Sequence, residues 1–127
     1  MNAFIVSLEN KPGALATVAE AIAARGIDIT AFSGATCGGD GIMAFLTNDE
    51  AGTRRALADA GCSVRELEVI SASVQNQPGG LAKIARQLAD AGLNIEAAIP
   101  TGMSGSTATI AIGTNDPART RSILGSS

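Results

Sequence analysis

The sequence NKPGALATVAEAIAARGIDIT at residues 10–30 recurs as NQPGGLAKIARQLADAGLNIE at residues 76–96, an offset of 66 residues. Nine of these 21 aligned positions are identical, whereas ordinary composition gives about two identities by chance. Two copies of one structural unit are the simplest explanation, and we predict a first repeat at residues 1–69 and a second at residues 70–127. The identical pairs are Asn10/Asn76, Pro12/Pro78, Gly13/Gly79, Leu15/Leu81, Ala16/Ala82, Ala19/Ala85, Ala23/Ala89, Gly26/Gly92 and Ile29/Ile95.

Each repeat has the periodicity of strand, helix, strand, strand and helix, and the first repeat adds a final strand. Before the NKPG turn, Phe4, Val6 and Leu8 occupy alternate positions, which predicts a strand with one face buried under helices. After the turn, apolar residues at helical spacing predict a helix with one face in the core. This face consists of Leu15, Val18, Ala19 and Ile22 in the first repeat and of Leu81, Ile84, Ala85 and Leu88 in the second.

Glycine, aspartate and proline residues indicate where the helices begin and end. Gly26 and Gly92 come just after the first helix of each repeat, where a left-handed conformation favours Gly. Asp49 and Asp116 precede the second helix of each repeat, where Asp is a good N-cap and Pro117 suits the first helical position. A second strand, predicted to include Ile27 and Leu93, follows the first helix.

The two repeats differ at their ends. Residues 63–69 are predicted to form a fourth strand in the first repeat, but the second repeat ends after Ile123 and Leu124 without an obvious last strand. Its sheet is therefore expected to keep an uncovered edge unless a partner supplies a strand. The inward side of the chain changes between Val69 and Ile70, so a bend is expected at the boundary between the repeats.

The composition excludes several classes of function. Hydrophobic residues make up 46% of the 127 residues, which permits a packed core, and the absence of His removes His-based triads and His metal ligands. The net charge of -3 gives no basic surface for nucleic acid or anionic lipid. The Gly-rich residues 34–41 lack a GK[ST] sequence and lie between predicted strands, so we interpret them as a flexible hairpin connection and not as a phosphate loop.

The cysteines and the chain termini favour a cytoplasmic location. Cys37 and Cys62 are far apart in sequence and too few to form a zinc site. We interpret them as reduced small hydrophobes, with a functional thiol at Cys37 as the alternative. No apolar run approaches the roughly 18 residues of a membrane helix, and the N-terminal sequence lacks the features of a signal peptide.

The two NxPG turns are the candidate ligand sites. Gly lets the backbone approach a ligand closely, and the N-terminus of the following helix offers free N–H groups that hold a carboxylate. Asn10 and Asn76 add a donor and an acceptor, which suits a zwitterion; the alternative is that Asn shapes the turn or caps the helix. Asp28 and Asn94 are second candidates near the start of the next strand, where the carboxylate would meet an ammonium group; the alternative there is a solvent-facing polar residue.

The βαββαβ pattern with ENKPGAL and QNQPGGL, followed by GIDI and GLNI, resembles the ACT domain. The resemblance covers nearly the whole chain as a tandem pair. It implies an α+β fold of two ferredoxin-like repeats, each an antiparallel sheet with two helices on one face. It also implies binding of an amino acid or a similar small metabolite, and regulation of an attached or partner enzyme.

The motifs are most similar to those of the regulatory domain of phosphoglycerate dehydrogenases, in which two Asn residues hold the amino-acid effector across a domain interface. Asn10, Asn76 and Asn94 match those residues, whereas Asp28 is acidic. Leu8 and Val74 stand where those domains have a His, so one side-chain contact is missing. The two turns, the starts of the following strands and this resemblance together give the candidate ligand-binding residues, which are Asn10, Pro12, Gly13, Ala14, Leu15, Asp28 and Ile29 in the first repeat and Asn76, Pro78, Gly79, Gly80, Leu81, Asn94 and Ile95 in the second.

The favoured hypothesis is a small stand-alone regulatory module that binds an amino acid between the ACT repeats. Its expected partners are the amino-acid effector, a second copy in a homodimer and a regulated metabolic enzyme, with no nucleic acid, membrane or cofactor. The alternative is a ligand-free oligomerisation or partner-docking module that uses the free edge of the second repeat. Catalysis is not expected, because the pattern places no acid–base pair and no nucleophile beside an activating base.

Overall fold

The computed structural model describes residues 1–125, and Ser126 and Ser127, the predicted end of the second repeat, lie outside the described residues. The chain divides into two compact units. We call Asn2–Leu67 the N-terminal unit, and we call Glu68–Ser127 together with Met1 the C-terminal unit. The two units have the same order of elements through their second helix.

The predicted α+β fold is confirmed, with strands and helices in the predicted order. The N-terminal elements are β1 (Asn2–Glu9), α1 (Ala14–Ala23), β2 (Ile29–Cys37), β3 (Asp40–Thr47), α2 (Glu50–Asp59) and β4 (Val64–Glu68). The C-terminal elements are β5 (Ile70–Gln75), α3 (Gly80–Asp90), β6 (Ile95–Ser104), β7 (Thr107–Thr114) and α4 (Pro117–Leu124). None of these helices is long and apolar enough to cross a membrane.

The sheet of the N-terminal unit has the strand order β2-β3-β1-β4. Phe45 of β3 pairs with Phe4 of β1 on one side and with Phe32 of β2 on the other. Side chains at paired positions point to the same face of the sheet. Because Phe4 and Phe45 are buried against the helices, all three Phe side chains lie on the helix side. The aromatic rings of Phe4 and Phe45 stack with their centroids 5.9 Å apart, in contact with Ile22 of α1 and Leu57 of α2 in one buried cluster.

The sheet of the C-terminal unit has three strands in the order β5-β7-β6. Ile112 of β7 pairs with Ile70 of β5 and with Ala98 of β6. Leu88 of α3 and Ile123 of α4 pack on the same face of this sheet. Both units therefore have two helices on one face of an antiparallel sheet, and within residues 1–125 no strand follows α4.

The two units cap their second helices in the same way, as the sequence predicts. The Asp49 carboxylate accepts a hydrogen bond from the Gly52 N–H at 2.9 Å, and the Asp116 carboxylate accepts one from the Arg119 N–H at 3.1 Å. A pair of Thr hydroxyl groups joins the preceding strand to each helix. The oxygen–oxygen distances are 2.7 Å for Thr47 and Thr53 and 2.6 Å for Thr114 and Thr120.

Three expectations from the sequence need correction. Leu15 and Leu81 are 49% and 58% exposed and are not core residues, because the other elements leave about half of each side chain uncovered, unlike those of Ile22 and Leu88. The second strand begins at Ile29 and not at Ile27. Residues 34–41 are not a loose connection, because β2 and β3 pair through Cys37 and Asp40 and leave a two-residue turn.

Candidate functional site

The turn between β1 and α1 leaves the start of the helix open. Gly13 is the N-cap residue, in the left-handed conformation at φ 87°, and no side chain caps the helix. The Ala14 N–H donates to the Lys11 carbonyl at 3.3 Å. The N–H groups of Leu15 and Ala16 have no acceptor among residues 1–125. These groups and the helix dipole favour an anion here, an effect of about 0.3–1 kcal/mol for the dipole.

The turn between β5 and α3 repeats this geometry with one difference. Gly79 is the left-handed N-cap at φ 88°, and the Gly80 N–H donates to the Gln77 carbonyl at 3.1 Å. A Cβ atom at position 80 would overlap the carbonyl oxygen of Gln75. The equivalent residue of the N-terminal unit is Ala14, so only the C-terminal turn excludes a side chain at this point.

Asn10 and Asn76 make different contacts. In the N-terminal unit, the Asn10 side chain donates to the Gly38 carbonyl at 2.9 Å, and its main-chain N–H donates to the Gly39 carbonyl at 3.0 Å. In the C-terminal unit, the Asn76 main-chain N–H donates to the Ser106 carbonyl at 2.7 Å. Its side chain makes no hydrogen bond within the described chain. Asn10 therefore connects the β1–α1 turn to the β2–β3 turn by hydrogen bonds, and its side chain does not cap α1.

A cavity of about 410 Å³ opens beside the N-terminal turn. Its size is within the range of ordinary small-molecule pockets. Asn10, Ala14 and Leu15 are the predicted site residues that line it, whereas Pro12 and Gly13 shape the turn outside it. The other lining residues are Leu8, Glu9, Lys11, Phe32, Gly34, Ala35, Thr36, Gly41, Ile42 and Met43.

The walls of this N-terminal cavity combine charged and apolar groups. Glu9 and Lys11 form an exposed ion pair with an N–O distance of 3.1 Å. Phe32, which is 63% exposed, and Leu15 are large apolar side chains that the core does not cover. The cavity thus offers one cation, one anion and an apolar surface, which are the groups that complement an amino acid.

The cavity of the C-terminal unit, about 420 Å³, lies at a different place. It follows the outer edge of β5 and is bordered by α3 and the end of α4. Pro78, Gly79 and Gly80 are the predicted site residues that line it, but Asn76 and Leu81 do not. The other lining residues are Ala72, Ser73, Val74, Gln75, Gln77, Lys83, Ile84, Gln87, Ile123 and Leu124.

Asp28 and Asn94 lie at the opposite ends of their sheets from the NxPG turns. Asp28 precedes β2, and its N–H donates to the Asn48 side chain at 2.9 Å; the Asn94 N–H donates to the Asn115 side chain at 3.0 Å. Both residues are exposed. Within one unit, the length of β2 places Asp28 and the adjacent Ile29 about 26 Å from Asn10, at about 3.3 Å per residue.

The same separation holds in the C-terminal unit, where Asn94 and Ile95 precede or begin β6. A free amino acid is much shorter than a strand of this length. The two groups of candidate residues in one unit therefore cannot contact the same ligand molecule.

An ion pair marks the end of the N-terminal sheet remote from the cavity. Arg54 of α2 donates two hydrogen bonds to the Glu66 carboxylate of β4, and Asn2 of β1 donates a third at 3.1 Å. The hydrogen bonds from Arg54 hold the pKa of Glu66 below its usual range, and Glu66 raises the pKa of Arg54. In the C-terminal unit, Arg121 pairs with Glu68 at 3.2 Å.

Sequence reasoning missed several residues that line the cavities. Phe32, Glu9 and Lys11 were not among the candidates, although Phe32 is one of only three aromatic residues in the chain. The sequence did contain an indication that Phe32 is unusual, because it is an aromatic residue on a strand rich in Ala, Ser and Gly. Among residues 1–125, no group of three or more acidic or Cys side chains is arranged to hold a metal ion.

The family model described as ACT domain pair matches residues 1–126. Among solved structures, protein BT0572 from Bacteroides thetaiotaomicron superposes with a TM-score of 0.79 at 27% identity, covering 98% of this chain and 85% of that chain. The ligand-free regulatory subunit of aspartate kinase from Thermus thermophilus gives a TM-score of 0.68 at 20% identity, covering 98% and 89%. The corresponding subunit from Thermus flavus gives 0.68 at 23% identity, covering 97% and 87%. The comparison with curated protein sequences returned no match.

Proposed function

The chain belongs to the ACT domain pair family, and on that premise we propose that it is a regulatory module that binds a free amino acid and transmits the binding to a partner metabolic enzyme. Its fold is similar to that of the regulatory subunits of aspartate kinase. ACT regulatory domains are typically non-catalytic.

The observation that carries the proposal is the cavity of about 410 Å³ beside the open N-terminus of α1. In this proposal, the N–H groups of Leu15 and Ala16, which have no acceptor among residues 1–125, receive the carboxylate of an amino acid together with the Lys11 ammonium group. Glu9 supplies a carboxylate for the ammonium group of the ligand. Free helix N–H groups and a charge-assisted pair are both suited to a zwitterion.

The apolar wall favours an amino acid with an apolar side chain. Leu15 and Phe32 line the cavity as exposed side chains, and the half-buried Leu8 lines it beside the core. A ligand side chain in contact with them removes apolar surface from water, at about 25 cal/mol per Å². We therefore propose an aliphatic amino acid as the effector of the N-terminal unit.

The corresponding turn of the C-terminal unit has neutral side chains. Gln75 and Gln77 replace Glu9 and Lys11, and the cavity beside them lies at the edge of β5. We therefore propose that the two repeats are not equivalent and that the N-terminal unit binds the ligand more tightly. The binding of one ligand between the two repeats, with Asp28 or Asn94 at its ammonium group, stays a prediction from the sequence.

Isothermal titration calorimetry against each of the twenty amino acids tests the proposal. Leu15→Ala is expected to weaken binding about tenfold, which corresponds to about 1.4 kcal/mol. Leu81→Ala is the matched control, because Leu81 occupies the same place in its repeat and is not among the residues that line the C-terminal cavity. Phe32→Ala is expected to act like Leu15→Ala. The absence of heat and of a thermal shift with every amino acid would contradict the proposal.

A further inference from the structure

The N-terminal cavity has a floor of residues with small side chains. Gly34, Thr36 and Gly41 line it where β2 pairs with β3. In that pairing, Gly34 lies opposite Met43 and Thr36 lies opposite Gly41. Because Met43 is buried in the cluster under the helices, and alternate and paired residues share a face, all three floor positions face the helix side of the sheet.

The position of Gly34 is open toward the cavity, and Gly34 itself is exposed. A Cβ atom on Gly34 would meet main-chain atoms of β3, with the Ile42 carbonyl oxygen nearest at 3.2 Å. Apart from its chain neighbours, no side chain of residues 1–125 lies within 4 Å of this Cβ position. A side chain at position 34 would therefore extend into the space available to a ligand.

Gly41 is buried and lies between Leu8 of β1 and Thr36 of β2. A Cβ atom on Gly41 would lie 3.1 Å from the Thr36 methyl group and 3.4 Å from the Ala35 carbonyl oxygen. Gly41 therefore leaves the Thr36 side chain in place and adds no side-chain atom to the floor of the cavity.

The strand register identifies the equivalent positions of the C-terminal unit. Ile29 and Ile95 begin β2 and β6, and the pairings of the two hairpins match from there, with one extra residue in β6 at the register shift after Pro100. The counterparts are Pro100 for Gly34, Met103 for Thr36 and Ala108 for Gly41.

The counterparts face the helix side of their own sheet. Met103 pairs with Ala108, which pairs with Val74 of β5. Val74 is buried under the helices of its unit, so Met103 and Ala108 share that face. Pro100 pairs with Ile110, two residues from Ala108, and lies on the same face.

Each counterpart has a larger side chain than the residue it replaces. A proline ring stands in place of the Gly34 hydrogen, a methionine in place of Thr36 and a methyl group in place of the Gly41 hydrogen. The 420 Å³ cavity of the C-terminal unit includes none of these three residues. All three differences therefore add volume where the N-terminal unit has its cavity.

We propose that Gly34, Thr36 and Gly41 determine the largest effector side chain that the N-terminal cavity admits, and that their larger counterparts remove this space from the C-terminal unit. The inference rests on the proposed function, in which the ligand carboxylate lies at the start of α1. From there the ligand side chain extends over β2 toward the three positions. The wild type is expected to bind leucine more tightly than alanine, because leucine buries more apolar surface on this floor.

Isothermal titration calorimetry with leucine and with alanine tests the inference on two variants. Gly34→Ala adds one methyl group to the floor, and Thr36→Met introduces the residue of the C-terminal counterpart. Each is expected to weaken leucine binding about tenfold or more, because a filled site has no room for an added methyl group. Alanine, whose side chain is a single methyl group, is expected to keep its affinity. Loss of the fold would weaken both ligands equally.

Gly102→Ala is the matched control, because it adds a methyl group to an exposed position of β6 that does not line the C-terminal cavity. It is expected to leave the affinity for leucine unchanged. If Gly34→Ala fails to fold, as judged by circular dichroism, Thr36→Met carries the test. Valine replaces alanine if alanine binds the wild type too weakly to titrate.

The outcomes separate this inference from the proposed function. A wild type that binds no aliphatic amino acid would overturn the proposed function, and this inference with it. A wild type that binds leucine, with the same preference for leucine over alanine in both variants, would overturn the assignment of the floor residues alone.

Discussion

The side-chain amide of Asn10 donates a hydrogen bond to the Gly38 carbonyl at 2.9 Å, and so joins the turn before α1 to the turn between β2 and β3. Asn76 occupies the same place in the second repeat and makes no side-chain hydrogen bond within residues 1–125. One of the two Asn side chains therefore joins two turns, whereas the other makes no such connection within residues 1–125.

Replacement of these two residues is expected to lower the stability of the protein by different amounts. Asn10→Ala removes the bond to Gly38 and is expected to lower the free energy of unfolding by about 1 kcal/mol. Asn76→Ala is expected to change it by less than about 0.5 kcal/mol, as for an ordinary surface substitution. Urea denaturation measures both values. Equal losses in the two variants would show that the Asn10 bond does not stabilise the fold.

Ile22 and Leu15 lie on the same helix, yet their replacement is expected to have different effects. Ile22 is fully buried, and Ile22→Ala is expected to reduce the free energy of unfolding by about 2–5 kcal/mol through loss of packing and a residual cavity. Leu15→Ala is expected to cost less than about 1 kcal/mol, because Leu15 is half exposed. Thermal unfolding followed by circular dichroism distinguishes the two. A large loss for Leu15→Ala would place this residue in the core after all.

The first helical residue of each unit is expected to respond differently to a methyl group. Gly80→Ala places a Cβ against the Gln75 carbonyl oxygen and is expected to destabilise the protein by about 1–3 kcal/mol. Ala14→Gly, the matched exchange in the other repeat, removes a methyl group and is expected to cost no more than about 1 kcal/mol. Chemical denaturation of both variants tests this difference. Tolerance of Ala at position 80 would mean that the turn adjusts to the side chain.

Glu66 is expected to make stability depend on pH in the acid range. Its folded pKa lies below its unfolded value, about 4.3, because Arg54 and Asn2 bind the charged carboxylate. Its contribution is therefore complete above the unfolded pKa and is lost as the pH falls through the folded pKa. The stability difference between the wild type and Glu66→Gln is expected to be constant at neutral pH and to shrink below about pH 4.3.

Urea denaturation across the pH range measures this difference, and the Arg54→Gln background is the control. Without the Arg54 guanidinium, the exchange of Glu66 for Gln is expected to have a much smaller pH dependence. A difference that grows as the pH falls would contradict the assigned direction of the pKa shift.

Local patterns were sufficient to predict most of the fold. The strand–helix alternation and the N-caps Asp49 and Asp116 depend on neighbouring residues, and the structure confirms the elements and caps. Periodicity also identified Val18, Ile22 and Leu88 as core residues. These features are encoded within a few residues of the positions they affect, so one sequence is enough to find them.

Periodicity was wrong at Leu15 and Leu81. Both residues continue the apolar face of their helices, but a side chain is buried only where another element covers it. The first turn of α1 borders a cavity that includes Gly34 and Gly41, which have no side chains to fill the space. The spacing of apolar residues along one helix does not show which of them another element covers.

The sequence by itself determined the repeat, the ACT-type order of elements, the capped helices and the NxPG turns with their free helix N-termini. Only the tertiary structure decided that Asn10 is bound to Gly38, that Asp28 lies at the far end of its sheet, and that the cavities of the two units differ. The reason is that hydrogen bonds along a helix or in a turn join residues close in the chain. A cavity or a sheet edge is instead formed by residues far apart in sequence, whose separation is fixed only when the strands pair.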